Sequence, residues 1–175
     1  MRTFIALDLP SDFAVNIAQV ESQISASMQA KYVAERSLHL TLAFMGELET
    51  ASQLSAAQKA IEIAAQNFAP VSLHPDGLGI FGPASDATLF MSVSPTPALM
   101  NLAKSVRSEL ATKGLPFEKT PFKPHVTLAR HAHAERFDAK GWAMPDTAHA
   151  TTVSIYKSEL TQQGAVYTPI HSVTL

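Results

Sequence analysis

Two short strings in this 175-residue chain place a histidine and a threonine at the same spacing. They are Leu38-His39-Leu40-Thr41-Leu42 and Pro124-His125-Val126-Thr127-Leu128. Successive side chains of an extended strand point to opposite faces, so each histidine would share a face with the threonine two residues later. An unperturbed imidazole titrates at about pH 6.5, so a pair of them can give and take protons near neutrality. The spacing predicts two reactive strand faces, each backed by apolar side chains.

These side chains are the parts of a phosphodiester site that needs no metal ion. One imidazole can take a proton from a nucleophile while the other gives a proton to a leaving group. The hydroxyls of Thr41 and Thr127 can donate to phosphate oxygens, where negative charge grows in the transition state. Arg130 points away from the cleft under strict alternation, but a bulge or a strand end would turn it inward. Arg130 would then add a fixed positive charge.

Hydrophobic periodicity and turn residues divide the chain into strands and helices. Ser11 and Thr96 are predicted N-caps, while Gly46 and Gly114 are predicted to end a strand and a helix. The turn residues Pro75-Asp76-Gly77 should break the strand that starts at residue 71. The predicted strands cover residues 3–9, 37–45, 71–73, 78–81, 88–94, 124–130, 151–160 and 166–175, and the predicted helices cover 11–29, 50–67 and 97–113.

The order of these elements in the first half is loosely repeated in the second half, with one histidine string in each. Short strands with long helical connections predict an α+β fold with mostly antiparallel sheets and helices outside. We expect residues 1–175 to form one domain of two lobes, related by a pseudo-two-fold axis around a central cleft. Residues 82–87 are the best candidate for a seam between the lobes. The helix at 50–67 should bury Leu54, Ile61 and Ile63.

Composition indicates a compact protein, since 46% of the residues are apolar and 16% are charged. A net charge of −2 argues against non-specific binding to duplex nucleic acid. Lys119, Lys123 and Arg130 nevertheless gather near the second string and predict an anion-attracting rim. The sequence has no cysteine, no apolar run long enough for a membrane span and no signal-peptide pattern, so we expect a cytoplasmic protein.

The two strings, His39-Leu40-Thr41-Leu42 and His125-Val126-Thr127-Leu128, resemble the paired H-x-T-x motifs of the two-histidine (2H) phosphoesterase superfamily. The similarity is to its RNA 2′,3′-cyclic phosphodiesterase, or 2′–5′ RNA ligase-like, branch. Residues 2–10, 38–46, 121–130 and 167–170 resemble that family in the same order along the chain, whereas residues 74–86 resemble it least.

The resemblance implies a bilobal fold and the hydrolysis of a terminal 2′,3′-cyclic phosphate to a 2′-phosphomonoester. It implies that His39 donates a proton to the departing ribose 3′-oxygen and that His125 activates water. It implies further that Thr41, Thr127 and Arg130 bind the phosphate, and that the chain catalyses some reversible 2′–5′ joining of RNA ends. The expected substrates are RNA 3′ ends.

Other interpretations remain open at this point. The catalytic strings do not encode the base or the length of the substrate, so small cyclic nucleotides are an alternative to RNA. A non-catalytic RNA-end binding module is another. Zinc usually needs three or four protein ligands and the two motif histidines supply two, so we expect neither metal nor cofactor. We also expect a monomer without an obligate protein partner.

Aromatic side chains are further candidates for substrate binding, because single-stranded RNA is often recognised by stacking. Tyr167 and Phe122 lie beside polar, proline-containing stretches and are candidate base contacts, whereas Phe4 and Phe44 are expected in the core. A third His-x-Thr string at His149 lacks large apolar neighbours and is expected to be unrelated to the site.

Overall fold

A computed structural model describes residues 1–161 and 164–175, in which three helices accompany ten strands. The helices are α1 (Ser11–Ser25), α2 (Ala51–Ala65) and α3 (Pro97–Thr112). The strands are β1 (Arg2–Asp8), β2 (Lys31–Tyr32), β3 (His39–Glu47), β4 (Val71–Leu73), β5 (Pro75–Phe81), β6 (Ala87–Val93), β7 (His125–Ala132), β8 (Ala148–Ala150), β9 (Thr152–Thr161) and β10 (Gly164–Thr174). No helix within these residues is long and apolar enough to cross a membrane.

Each motif strand belongs to a different four-stranded sheet. The first sheet has the order β10-β9-β1-β3, the second has the order β2-β7-β6-β5, and β4 pairs with β8. The paired strands of the described residues are antiparallel. Strand β3 at the edge of the first sheet lies beside β7 of the second, which brings the two motifs together. The predicted α+β fold is confirmed.

One continuous cluster of buried apolar side chains underlies both sheets. Helices α2 and α3 pack on each other, α2 against β9 and β10, and α3 against β3 and β4. Leu40 and Leu42 of the first motif and Val126 and Leu128 of the second are fully buried. The predicted apolar backing of the two motif strands is therefore confirmed.

The helix ends follow the local sequence in two of three helices. Thr50 and Gln53 form a capping box at α2, and the Thr96 hydroxyl accepts a hydrogen bond from the Leu99 amide at α3. The prediction that Ser11 caps α1 is wrong, because Pro10 occupies the N-cap position and Ser11 is already helical. Ile63 is 44% exposed and is not a core residue of α2.

Helix α1 ends at Ser25 and not at residue 29. The amides of Ser27 and Met28 both donate to the carbonyl of Ile24, which closes the last turn. The chain can then enter β2 at Lys31, directly opposite Arg130 of β7. This short strand has no periodicity from which it could be predicted.

Three strand predictions also need correction. Gly46 does not end β3, because its φ of 73° accommodates an irregularity opposite Thr3 and pairing continues to Glu47. Residues 75–77 do not interrupt one strand, since β4 and β5 pair with different partners in different sheets. Residues 82–87 are not a seam between lobes, because they lie between the neighbouring strands β5 and β6.

Candidate active site

The two motif histidines are held in the same way. The Nδ1 atom of His39 lies 2.7 Å from the carbonyl oxygen of Ser37, and that of His125 lies 2.7 Å from the carbonyl oxygen of Lys123. A carbonyl only accepts hydrogen bonds, so Nδ1 carries the hydrogen and donates it in both cases. Each Nε2 is left to accept or release a proton.

A bulge in β3 changes which residues face the cleft. Ile5 lies opposite Ala43, whereas the next residue of β1, Ala6, lies opposite Thr41. Leu42 is thus an extra residue, and both Leu42 and Ala43 are buried. After the bulge, residue 44 returns to the face that carries the first histidine.

The same bulge recurs in β7. Leu89 lies opposite Ala129, whereas Phe90 lies opposite Thr127, so Leu128 is the extra residue. Leu128 and Ala129 are both buried. Alternation resumes with Arg130 on the face of the second histidine, so the bulge on which its access to the cleft depends is present.

Two groups from distant parts of the sequence act electrostatically on His39. Burial lowers the pKa of His39, and the positive charges of Arg130 and His125 lower it further. The hydrogen bond to the Ser37 carbonyl acts in the opposite direction. Arg130 and His125, which follow His39 by 91 and 86 positions in the sequence, therefore act on one imidazole. Their positive charges make this place suited to an anion.

Aromatic rings surround the His39 imidazole. The Phe4 ring centroid lies 4.7 Å from that of His39, and the Tyr167 ring meets the imidazole edge-on at 5.1 Å. Tyr156 stacks on Phe4 and lies 6.2 Å from His39. The structure thus brings Tyr167, a predicted site residue, to the histidine, together with Tyr156, which had no distinguishing signal in the sequence. Phe4 is buried as expected but also contacts the site.

Phe81 and Phe90 play the corresponding part at His125. Their ring centroids lie 5.1 and 5.6 Å from the His125 ring and 4.0 Å from each other. A Cβ atom at position 79 would lie 2.5 Å from the Phe90 ring, so Gly79 leaves the space that this ring occupies. The two rings, one from β5 and one from β6, flank the His125 imidazole on β7.

A polar network adjoins the first histidine. Asp8 lies directly opposite His39 in the β1–β3 pair. Its carboxylate accepts hydrogen bonds from the Ser154 hydroxyl at 2.7 Å and the Tyr156 hydroxyl at 2.8 Å. Since Ser154 donates to Asp8, Ser172 donates to Ser154, also at 2.7 Å. Burial raises the pKa of Asp8, and the two hydrogen bonds oppose that shift.

Phe122, the other predicted aromatic contact, packs beneath Arg107. The guanidinium lies 5.4 Å from the Phe122 ring centroid and donates to the carbonyl oxygens of Leu42 and Thr120 at 2.9 and 2.8 Å. Arg107 therefore holds the bulge of β3 and the segment before the second motif. Substrate binding by Phe122 stays a prediction.

The remaining predicted groups have simple surroundings. Thr41 and Thr127 are half-buried on the faces of their histidines, and the side chains of Lys119 and Lys123 are exposed. His149 lies on β8 with its Nδ1 atom 3.1 Å from the Ser72 hydroxyl. In residues 1–161 and 164–175, no three histidine or acidic side chains are grouped to hold a metal ion.

The family follows from comparison of the whole chain with known proteins. The model of the 2′-5′ RNA ligase superfamily matches residues 9–159. The chain belongs to this superfamily. An RNA 2′,3′-cyclic phosphodiesterase from Thermotoga maritima is 30% identical over 95% of this chain and 91% of that protein. One from Escherichia coli is 30% identical over 97% and 93%.

Solved structures share the fold of this chain. A Thermus thermophilus protein superposes with a TM-score of 0.86 at 25% identity, covering 100% of this chain and 98% of that one. Escherichia coli LigT complexed with 3′-AMP superposes with a TM-score of 0.78 at 27% identity, covering 99% and 96%. The family resemblance of the two motifs is confirmed.

Proposed function

We propose that this superfamily member hydrolyses the 2′,3′-cyclic phosphate at an RNA 3′ end to a 2′-phosphomonoester, with His39 as acid and His125 as base. The observation that carries the proposal is the pair of imidazoles held by matching backbone bonds, close enough to Arg130 and to each other to alter the pKa of His39. The named relatives act as RNA 2′,3′-cyclic phosphodiesterases, which supports the reaction type.

In this reaction, a water oxygen attacks the phosphorus atom as the bond from phosphorus to the ribose 3′-oxygen breaks. His125 Nε2 takes a proton from the water, and His39 Nε2 gives a proton to the 3′-oxygen. The products are a 3′-hydroxyl and a 2′-phosphate. The same transfers with the 5′-hydroxyl of a second RNA in place of water join two RNA ends by a 2′–5′ bond and release the 3′-hydroxyl.

The phosphate needs donors that are in position before charge develops. Thr41 and Thr127 face the cleft on the same strands as the histidines, one from each lobe. Arg130 supplies a fixed positive charge through the bulge of β7. Such preorganised groups stabilise the charge on the non-bridging oxygens in the transition state.

The surroundings of His39 couple its charge to substrate binding. Burial and the neighbouring cations favour the neutral imidazole in the free enzyme. An anionic phosphate between the histidines favours the imidazolium that an acid requires. His39 therefore takes up its proton together with the substrate.

Small cyclic nucleotides are a second candidate substrate class. The 3′-AMP complex of the Escherichia coli relative supports it, because that ligand is a single nucleotide. We further propose a single bilobal domain, since the buried cluster is continuous beneath both sheets. We also propose that the protein is a monomer, and that it works in the cytoplasm, where a chain without cysteine lacks nothing in stability.

Product analysis tests the proposed function. A short RNA that ends in a 2′,3′-cyclic phosphate is incubated with the enzyme and excess chelator, and the 2′- and 3′-monoesters are separated. We expect the 2′-monoester, at a rate that the chelator leaves unchanged. Formation of the 3′-monoester, or loss of activity with chelator, would contradict the assignment.

A further inference from the structure

A hollow of about 660 Å³ lies outside the cleft, between the end of α1 and residues 133–143. Its volume is within the range of ligand-binding sites. Of the residues that the structure describes, neither motif histidine contributes to its wall. The wall combines aromatic, cationic and polar side chains: Phe137, Trp142, Arg136, Lys140, Gln23 and Ser27.

The aromatic wall is held in place by its own segment. The Trp142 indole Nε1 donates to the carbonyl oxygen of Asp138 at 2.8 Å, and the Lys140 amide donates to the Asp138 carboxylate at 2.9 Å. Gly141 makes the intervening turn with a φ of 80°. The rings of Phe137 and Trp142 are inclined by 25° with centroids 6.2 Å apart. A stacking surface therefore exists before any ligand binds.

The segment that lines the hollow follows directly after β7. Strand β7 runs from His125 through Arg130, and the next residues turn towards α1, where the His133 amide donates to the carbonyl of Gln29 at 2.9 Å. Lys31 lies directly opposite Arg130 in β2. At about 3.3 Å per residue, an unbroken strand would place His133 about 26 Å from His125, and the bulge at Leu128 and the φ of 52° at His131 shorten this span.

Basic side chains lie at both ends of this segment. Arg130 and Lys31 are followed by Arg136 and Lys140 at the hollow. The acidic groups near this segment are Glu135, Asp138 and Asp86; the Asp138 carboxylate accepts the Lys140 amide, and the Asp86 carboxylate accepts a hydrogen bond from His131 Nδ1 at 2.9 Å. A chain of phosphates would meet a cation at each end of the segment.

We infer that this hollow binds a nucleotide of the RNA strand on the 5′ side of the reacting end. The inference rests on the proposed function and adds that the preferred substrate is an oligonucleotide. Single-stranded RNA is bound by stacking on aromatic rings and by cations along its backbone. Within the described residues, the wall of the hollow includes neither motif histidine, so a mononucleotide bound between the histidines leaves the hollow empty.

Tryptophan fluorescence gives a direct test, because Trp142 is the only tryptophan in the chain. The probes are an RNA hexanucleotide and a mononucleotide, each ending in a 2′-phosphate and therefore not hydrolysed. We expect saturable quenching by the hexanucleotide and none by the mononucleotide. The inference is overturned if the bound hexanucleotide leaves the emission unchanged, or if the mononucleotide quenches it equally.

Kinetics with matched variants supply the second test. Arg136→Gln combined with Lys140→Gln should lower kcat/KM for a cyclic-phosphate hexanucleotide about tenfold and leave that for a cyclic mononucleotide unchanged. The salt dependence of kcat/KM for the hexanucleotide should also be weaker in this variant, because two phosphate contacts are lost. The control exchanges two exposed lysines of the other helices, Lys59→Gln and Lys104→Gln, and should behave as wild type.

The outcomes separate this inference from the proposed function. If the wild-type enzyme hydrolyses neither cyclic substrate, the proposed function fails. If the wild-type enzyme hydrolyses both substrates but the Arg136→Gln, Lys140→Gln variant has the wild-type kcat/KM on both, only the proposed RNA subsite is contradicted. Trp142→Phe retains an aromatic ring for stacking and should keep the preference for the hexanucleotide. Complete loss of that preference in Trp142→Phe would overturn the stacking role.

Discussion

Glu21 offers a quantitative test of the interior, because its carboxyl is buried and one of the two oxygens has no hydrogen-bond partner among the described residues. The residue is 6% exposed on the inner face of α1, and its Oε1 atom has no hydrogen-bond partner among the described residues. Burial raises the pKa of Glu21 from 4.5 to about 8. Glu21→Gln keeps the size of the side chain and removes its ionisation.

The sign of the effect follows from proton binding. Between pH 4.5 and about 8 the folded protein holds a proton on Glu21 that the unfolded chain has released. The free energy of unfolding therefore falls as the pH rises through this window and levels off above it. At about 1.4 kcal/mol per pH unit, Glu21 costs roughly 3 kcal/mol at pH 7 and about 5 kcal/mol well above pH 8.

Urea unfolding at pH 5 and pH 8 measures this cost. Relative to Glu21→Gln, the wild-type protein should lose about 3.5 kcal/mol between the two values. With a slope of about 2 kcal/mol/M, this corresponds to a difference of nearly 2 M in the urea midpoint. Other titrating groups contribute equally to the free energy of unfolding of both proteins, so their effects cancel in the difference. Parallel stability curves for the two proteins would refute the buried carboxyl.

Three further predictions concern the cleft. Arg130→Gln removes a charge that lowers the pKa of His39, so NMR titration should show that pKa rising while affinity for inorganic phosphate falls. His39→Ala and His125→Ala should each lower kcat/KM on a cyclic phosphate by about 10²–10⁴-fold without a change in far-UV circular dichroism. Tyr156→Phe leaves Asp8 one donor short, so urea unfolding should show a loss of about 1–3 kcal/mol.

Each of these three predictions has an outcome that would contradict it. An unchanged His39 pKa in Arg130→Gln would show that the Arg130 guanidinium does not act on His39. Near wild-type turnover in either alanine variant would remove that histidine from the proton transfers. Unaltered stability of Tyr156→Phe would mean that Asp8 does not depend on the tyrosine hydroxyl.

The motif strands were predictable because their alternation is a local property. Leu40 and Val126 face the core, and His39 and His125 face outward, as a period of two requires. The bulge that turns Arg130 inward could be stated only as a condition, because it depends on which residue of β6 lies opposite each residue of β7. The register between two strands that are distant in the sequence cannot be predicted from the residues of either strand alone.

The aromatic surroundings of His39 were predicted only in part for the same reason. Phe4, Tyr156 and Tyr167 come from three strands of the first sheet and meet only after those strands pair. Strand β8 is three residues long and has too few residues for a period. Helix α1 was predicted too long because nothing in residues 26–29 excludes a helix, and its end depends on the pairing of Lys31 with β7.

The central claim is that His39 and His125 bind one phosphate between them. Long-range ¹H–¹⁵N NMR spectra of both imidazoles, recorded while a nucleoside 2′-monophosphate is added, measure this directly. We expect both Nε2 signals to move along one binding curve with one ligand per chain. A response from only one ring, or two different dissociation constants, would contradict the shared site.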